Sequence, residues 1–190
     1  MQTDHAPYAM KDTIRLFVAA SLPVALKQQL QDQLHHFRDP AIRFVPEQNL
    51  HLTLYFIGNV PAQQLAVIKD SIREVAQRHQ PFTLDFACTE PGPKPRHPRL
   101  VWARLKEHEA FAALSHDLTE ALAPAPPKQQ KAIPHVTLAR FRKDRPVPEG
   151  LPTITPQEPL QLEVREVALW QSELASPHPV YTVVETFGLG

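Results

Sequence analysis

His51-Leu52-Thr53-Leu54 and His135-Val136-Thr137-Leu138 are two copies of one tetrapeptide, 84 positions apart. On a strand, residues two apart share a face. His and Thr of each copy therefore point one way, while Leu52/Leu54 and Val136/Leu138 point into a core. With ten His, eleven Thr and twenty-two Leu in 190 residues, chance supplies only about 0.07 such His-x-Thr-Leu tetrapeptides. Apolar patterning does not require His and Thr twice. A lone His-x-Thr on a strand is ordinarily an edge pattern without chemistry; two in equivalent settings reverse that reading.

The same offset aligns the surroundings. It carries Arg15-Leu16 onto Arg99-Leu100, Leu30 onto Leu114, Leu34 onto Leu118 and Pro40 onto Pro124. Each half reads strand, helix, loop, then a strand bearing the histidine. Two copies of so long a period do not make a solenoid. They predict one domain over 13–190, built of two intertwined similar lobes and preceded by a tail over 1–12.

Strands are expected at Thr13–Ala20, at Leu50–Ile57 stopped by Gly58, and at Phe82–Thr89. Others follow at Leu100–Leu105, His135–Phe141, Leu160–Gln171 and Val180–Phe187. Helices are expected from Pro23 (Ser21 as cap), over Pro61–His79 and over Glu107–Leu122, each with apolar residues at helical spacing. The stretch from Pro91 to Pro98 is too proline-rich for a helix or an interior strand. Pro124–Gln130 reads as a loop and Arg145–Pro159 as a proline-rich connection. Several strands follow one another without a helix between, which favours α+β with antiparallel pairing over a doubly wound parallel sheet.

Formal net charge is zero, but the distribution is uneven. Four cations and no acid lie between Pro91 and Arg104; six cations against Asp144 lie between Lys128 and Arg145. From Glu149 onward six glutamates face one arginine. Such local basic segments suit a short anionic ligand better than extended nucleic-acid binding. No apolar run nears the roughly 20 residues that span a bilayer. The start has no signal-peptide layout, and the one cysteine, Cys88, suits a reducing compartment and reads as inert. The expectation is a cytoplasmic protein.

Two imidazoles and two hydroxyls suit hydrolysis of a cyclic phosphodiester. A base must take a proton from water and an acid must protonate the departing oxygen; histidine serves both near neutrality. Thr53 and Thr137 can donate to the non-bridging oxygens, where charge accumulates. Two histidines without a nearby carboxylate or cysteine fall short of a zinc set, so no metal is expected. His35, His36, His79, His108 and His116 read as solvated, and Trp102 and Trp170 as core. Tyr55 and Phe56 lie on opposite faces, so one is a candidate for stacking a base and the other for the core.

At these residues the sequence resembles the two-histidine (2H) phosphoesterases, specifically the bacterial RNA 2′,3′-cyclic phosphodiesterases, also called 2′-5′ RNA ligase-like proteins. Arg15–Ala19 is similar to the family's opening strand, Asn49–Gly58 to its first motif and Pro134–Arg140 to its second. Arg99–Trp102 and the ending with Ser172, Leu174 and Tyr181 add to the likeness. The resemblance implies a bilobal, pseudo-twofold α+β fold: two antiparallel sheets with outer helices around a central cleft. It implies hydrolysis of an RNA 2′,3′-cyclic phosphate to a 2′-phosphate, without metal or nucleotide cofactor, and 2′-5′ joining as a side activity. By the same carry-over His51 is the general acid to the leaving 3′ oxygen, His135 the base for water, and Thr53, Thr137 and Arg140 phosphate contacts. The partner is RNA ending in a cyclic phosphate, tRNA fragments among the candidates; no protein partner or membrane is implied, and a monomer is the default. The proline-rich stretches at 91–98 and 146–159 depart from the pattern and would limit the RNA accepted if they lined the cleft. Alternatives are an esterase acting on 2′-5′ oligoadenylate or small cyclic nucleotides, and a non-catalytic RNA-end binder.

Overall fold

In the computed structural model, which describes residues 13–94, 96–125 and 132–190, strand β1 (Thr13–Ser21) shows how the sheet divides inside from outside. Leu16, Val18 and Ala20 enter the main core, while Phe17 and Ala19 form a second cluster with Ala168 and Trp170 on the other face. The order along the chain is β1, α1 (Val24–Asp32), β2 (Ile42–Phe44), β3 (His51–Pro61), α2 (Leu65–Gln77), β4 (Phe82–Gly92) and β5 (Leu100–Leu105). There follow α3 (Glu109–Leu122), β6 (His135–Phe141), β7 (Gln161–Val164), β8 (Glu166–Glu173) and β9 (Val180–Gly188). The expected tail 1–12 and most of the loop 124–130 lie outside the described residues.

The strands form one antiparallel path, β7-β4-β5-β6-β3-β1-β8-β9, with β2 added on β6. It consists of two four-stranded halves joined where Leu52 of β3 pairs with Val136 of β6. The helices cover one face through Leu26, Leu30, Ile68, Ile72, Phe111, Leu114 and Leu118, all buried. The α+β class, the antiparallel pairing and the outer helices are as expected. After each histidine strand the chain crosses over: β4 pairs with β5 and β8 with β1. Thus the first half of the sequence lends β2 and β4 to the β6 side of the sheet, and the second half lends β8 and β9 to the β3 side.

The pairing register corrects part of the repeat. Phe17 pairs with Phe56 and Leu100 with Arg140. Phe56 and Arg140 keep the 84-residue offset; Phe17 and Leu100 are one residue closer. Arg15-Leu16 is therefore not the counterpart of Arg99-Leu100, and a one-residue slip changes the face. Leu16 is core, whereas Leu100 lines the opposite face.

Other boundaries move for local reasons. Ser21 stays in β1, paired with His51, and Pro23 is the N-cap of α1. Gly58 does not stop β3: with φ +89° it follows a bulge at Ile57, and pairing continues to Pro61. That makes Pro61 a strand end, and α2 begins only after a 3₁₀ turn over Ala62–Gln64. Pro91 and Gly92 are in β4. The run from Leu160 to Gln171 breaks at Arg165, because β7 pairs with β4 and β8 with β1. The short β2 carries too little pattern to be read from sequence. His108 is the N-cap of α3, its Nδ1 accepting from the Ala110 amide, and His79 pairs with Asp117 at 2.9 Å; neither is simply solvated. Among the described residues no helix is long and apolar enough to cross a membrane.

Candidate active site

The two histidine motifs meet at the joint of the sheet. Antiparallel pairing of Leu52 with Val136, carried one residue each way, sets His51 beside Thr137 and Thr53 beside His135. The two imidazoles are then diagonal neighbours; on an ordinary ladder such positions stand roughly 7–8 Å apart. All four residues line one cleft of about 810 Å³ on the face opposite the helices.

Each strand bulges at the last leucine of its motif. Val18 pairs with Tyr55 but Ala19 with Thr53, leaving Leu54 extra; Val101 pairs with Ala139 but Trp102 with Thr137, leaving Leu138 extra. A bulge re-aims the side chains beyond it. Plain alternation would have put Tyr55 in the cleft. Instead Tyr55 packs on the main core, and Phe56, 49% exposed, lines the cleft. Its counterpart 84 residues on, Arg140, is brought to the cleft in the same way.

The rings are held alike. Nδ1–H of His51 donates to the Asn49 carbonyl at 2.7 Å, and Nδ1–H of His135 to that of Ile133 at 2.8 Å. A carbonyl can only accept, so the neutral tautomer carries its lone pair on Nε2. Asn49 is itself buried and pinned through Nδ2 to the Pro179 carbonyl at 2.8 Å. Beneath His51 lie Phe17, Tyr181 and Trp170, at ring-centroid distances of 4.8, 5.4 and 5.9 Å; beneath His135 lies Trp102 at 4.9 Å. Trp102 occupies the space over Gly92, where an added Cβ would sit 2.5 Å from its indole. Both indoles are buried, as expected, but on the cleft side of the sheet.

Burial on this floor disfavours the charged imidazole. It lowers the His51 pKa to about 4, with Arg140, His135 and Lys27 adding repulsion, and lowers His135 for the same first reason, with Arg140 again contributing. Backbone acceptors oppose the shift without cancelling it. The cleft is also basic: Arg15, Arg43, Arg140, Arg142 and Lys143 line it against Asp144, which pairs with Arg142. The second basic segment thus reaches the site. The first does not: Lys94, Arg96 and Arg99 lie off the cleft, and Arg104 pairs with Glu90. Arg15 and Arg43 belong to neither segment, and only the folded sheet reveals them. No described residue of 91–98 or 146–159 lines the cleft.

Residues 22–175 match the model of the 2′-5′ RNA ligase superfamily. Among curated relatives, the chain is 30% identical to an RNA 2′,3′-cyclic phosphodiesterase of Methanothermobacter thermautotrophicus, covering 93% of this chain and 99% of the relative. A protein of the same name from Thermus thermophilus is 33% identical, covering 93% and 90%. Among solved structures, a Thermus thermophilus protein superposes with a TM-score of 0.79 at 33% identity, over 93% of this chain and 98% of that one. E. coli LigT complexed with 3′-AMP gives 0.74 at 26% identity, over the same shares. A matched span of this length, joined to a two-histidine cleft, makes the chain a member of the 2′-5′ RNA ligase superfamily, the 2H phosphoesterases.

Proposed function

We propose that the chain hydrolyses a 2′,3′-cyclic phosphate at an RNA end to a 2′-phosphate, using His51 and His135 as an acid–base pair. The observation that carries this reading is the matched hold on the two rings, each with Nδ1 tied to a carbonyl two residues back. It leaves Nε2 of each as the proton-transferring atom. Relatives named RNA 2′,3′-cyclic phosphodiesterase support the reaction, and LigT crystals holding 3′-AMP or phosphate support the ligand class.

In the proposed step His135 Nε2 takes a proton from water as its oxygen attacks phosphorus. The bond from phosphorus to the 3′ oxygen breaks, and His51 Nε2 protonates that oxygen. Thr53 and Thr137 donate to the non-bridging oxygens, and Arg140 balances their charge. The free protein holds both rings neutral near pH 7, so the acid's proton arrives with the anionic substrate, which favours an imidazolium beside it. Burial alone would make His135 the easier ring to protonate; giving the acid role to His51 rests on family likeness. A substrate with sulfur in place of the 3′ bridging oxygen separates the two, because a thiolate leaves without an acid. It should rescue His51→Ala and not His135→Ala.

Phe56 stands in this scheme as the stacking residue and Tyr55 as core. We take the chain over 13–190 to act as one cytoplasmic unit, a monomer with RNA ends, tRNA fragments among them, as its partner. Incubation with a short RNA ending in a 2′,3′-cyclic phosphate tests the reading. A 2′-phosphate product is expected, whereas a 3′-phosphate product, or faster turnover of 2′-5′ oligoadenylate, would overturn it.

A further inference from the structure

Arg43 and Arg140 are directly opposite each other on β2 and β6, and both line the cleft. Like charges facing across an antiparallel pair repel, so the arrangement costs stability unless something anionic fits between them. Neither guanidinium has a carboxylate partner among the described residues. Arg43 is exposed, yet Nη1 donates to the Pro177 carbonyl at 3.1 Å, a contact from β2 to the loop between β8 and β9. A neutral acceptor orients the side chain and leaves its charge uncompensated, with further N–H donors free for a ligand.

Position matters as much as charge. β3 pairs with β6 only at Leu52–Val136, beside the histidines; β2 takes over the same edge of β6 at Phe141, Arg140 and Ala139. The bulge at Leu138 shortens the step: Thr137 is opposite Trp102 and Arg140 opposite Leu100, so two residues of strand, roughly 7 Å at about 3.3 Å each, separate them. Arg43 is therefore displaced along the cleft from the phosphate that His51 and His135 would flank. Arg142, further on, is neutralised by Asp144 at 3.1 Å.

Resting on the function proposed above, in which Arg140 serves the cyclic phosphate, we infer that Arg43, facing Arg140 across the strand pair, forms a second phosphate subsite that takes the internucleotide phosphate next to the cyclic end. The substrate class is then an oligonucleotide terminus, and a cyclic mononucleotide fills only half of the site. Charge-assisted contacts of this kind are worth about tenfold in binding.

The test compares kcat/KM for a nucleoside 2′,3′-cyclic monophosphate with that for a dinucleotide ending in the same cyclic phosphate. Wild type should prefer the dinucleotide by about tenfold, and Arg43→Ala should remove most of that preference, chiefly through KM, with Arg43→Lys between the two. An unchanged ratio in Arg43→Ala, an equal loss on both substrates, or a wild type without preference would overturn the subsite. Failure of the function itself reads differently: neither substrate would turn over.

Discussion

His51 is set by what lies under it. Phe17, Trp170 and Tyr181 exclude water from one side of the ring, which lowers its pKa to about 4. A histidine whose folded pKa lies below its unfolded value of about 6.5 is buried neutral. Its contribution to stability is complete above pH 6.5 and is lost as pH falls from there towards 4, because the unfolded chain binds the proton more readily. The shift corresponds to up to about 3 kcal/mol. His51→Gln should therefore flatten the stability-against-pH curve between 6.5 and 4, measured by denaturant unfolding at each pH; an unaltered curve would mean that the ring is not desolvated. The identity of this residue was legible from the repeated motif. Its floor was not, because Trp170 lies 119 positions away and reaches the site only through the pairing of β8 with β1.

At the scale of the strand, the bulges decide which side chains see the cleft. Alternation from His51 correctly puts Thr53 with it, then fails at Tyr55, because an extra residue at Leu54 leaves no mark in a run of apolar residues. The matching bulge at Leu138 delivers Arg140, whose role a motif resemblance could suggest but no periodicity could derive. Two glycines in these sheets carry opposite burdens. Gly58 has φ +89° and open space around it, so Gly58→Ala should cost about 1 kcal/mol through backbone strain and leave turnover of the folded enzyme near wild type. Gly92 has ordinary φ but lies under the Trp102 indole. Gly92→Ala should cost about 1–3 kcal/mol and also lower kcat, since a displaced indole carries His135 with it. Thermal unfolding beside steady-state assays separates the two; equal kinetic effects would contradict this division.

For the whole molecule, a net charge of zero hides a basic cleft. Sequence showed two basic segments but not which one faced the site, since that depends on where β5 and β6 turn their edges. Arg15 and Arg43 stood outside both. The internal repeat predicted two similar halves; the exchange of β4 and β8 between them, which ties the halves together, follows only from the pairing. Because the cleft's cations rather than overall charge attract the substrate, kcat/KM on an RNA end should fall steeply with salt, while stability changes little. A flat salt response would argue against electrostatic capture. The most direct check on the two-histidine cleft is single-turnover hydrolysis of a cyclic-phosphate-ended RNA, in excess chelator, by wild type, His51→Ala, His135→Ala and the double variant. Each single change should lower the rate at least about 10²-fold, and the double variant should be little worse than the poorer single, since residues acting as a unit are not additive. Retention of near-wild-type rate by either single variant, or activity that chelation abolishes and zinc or manganese restores, would contradict the account.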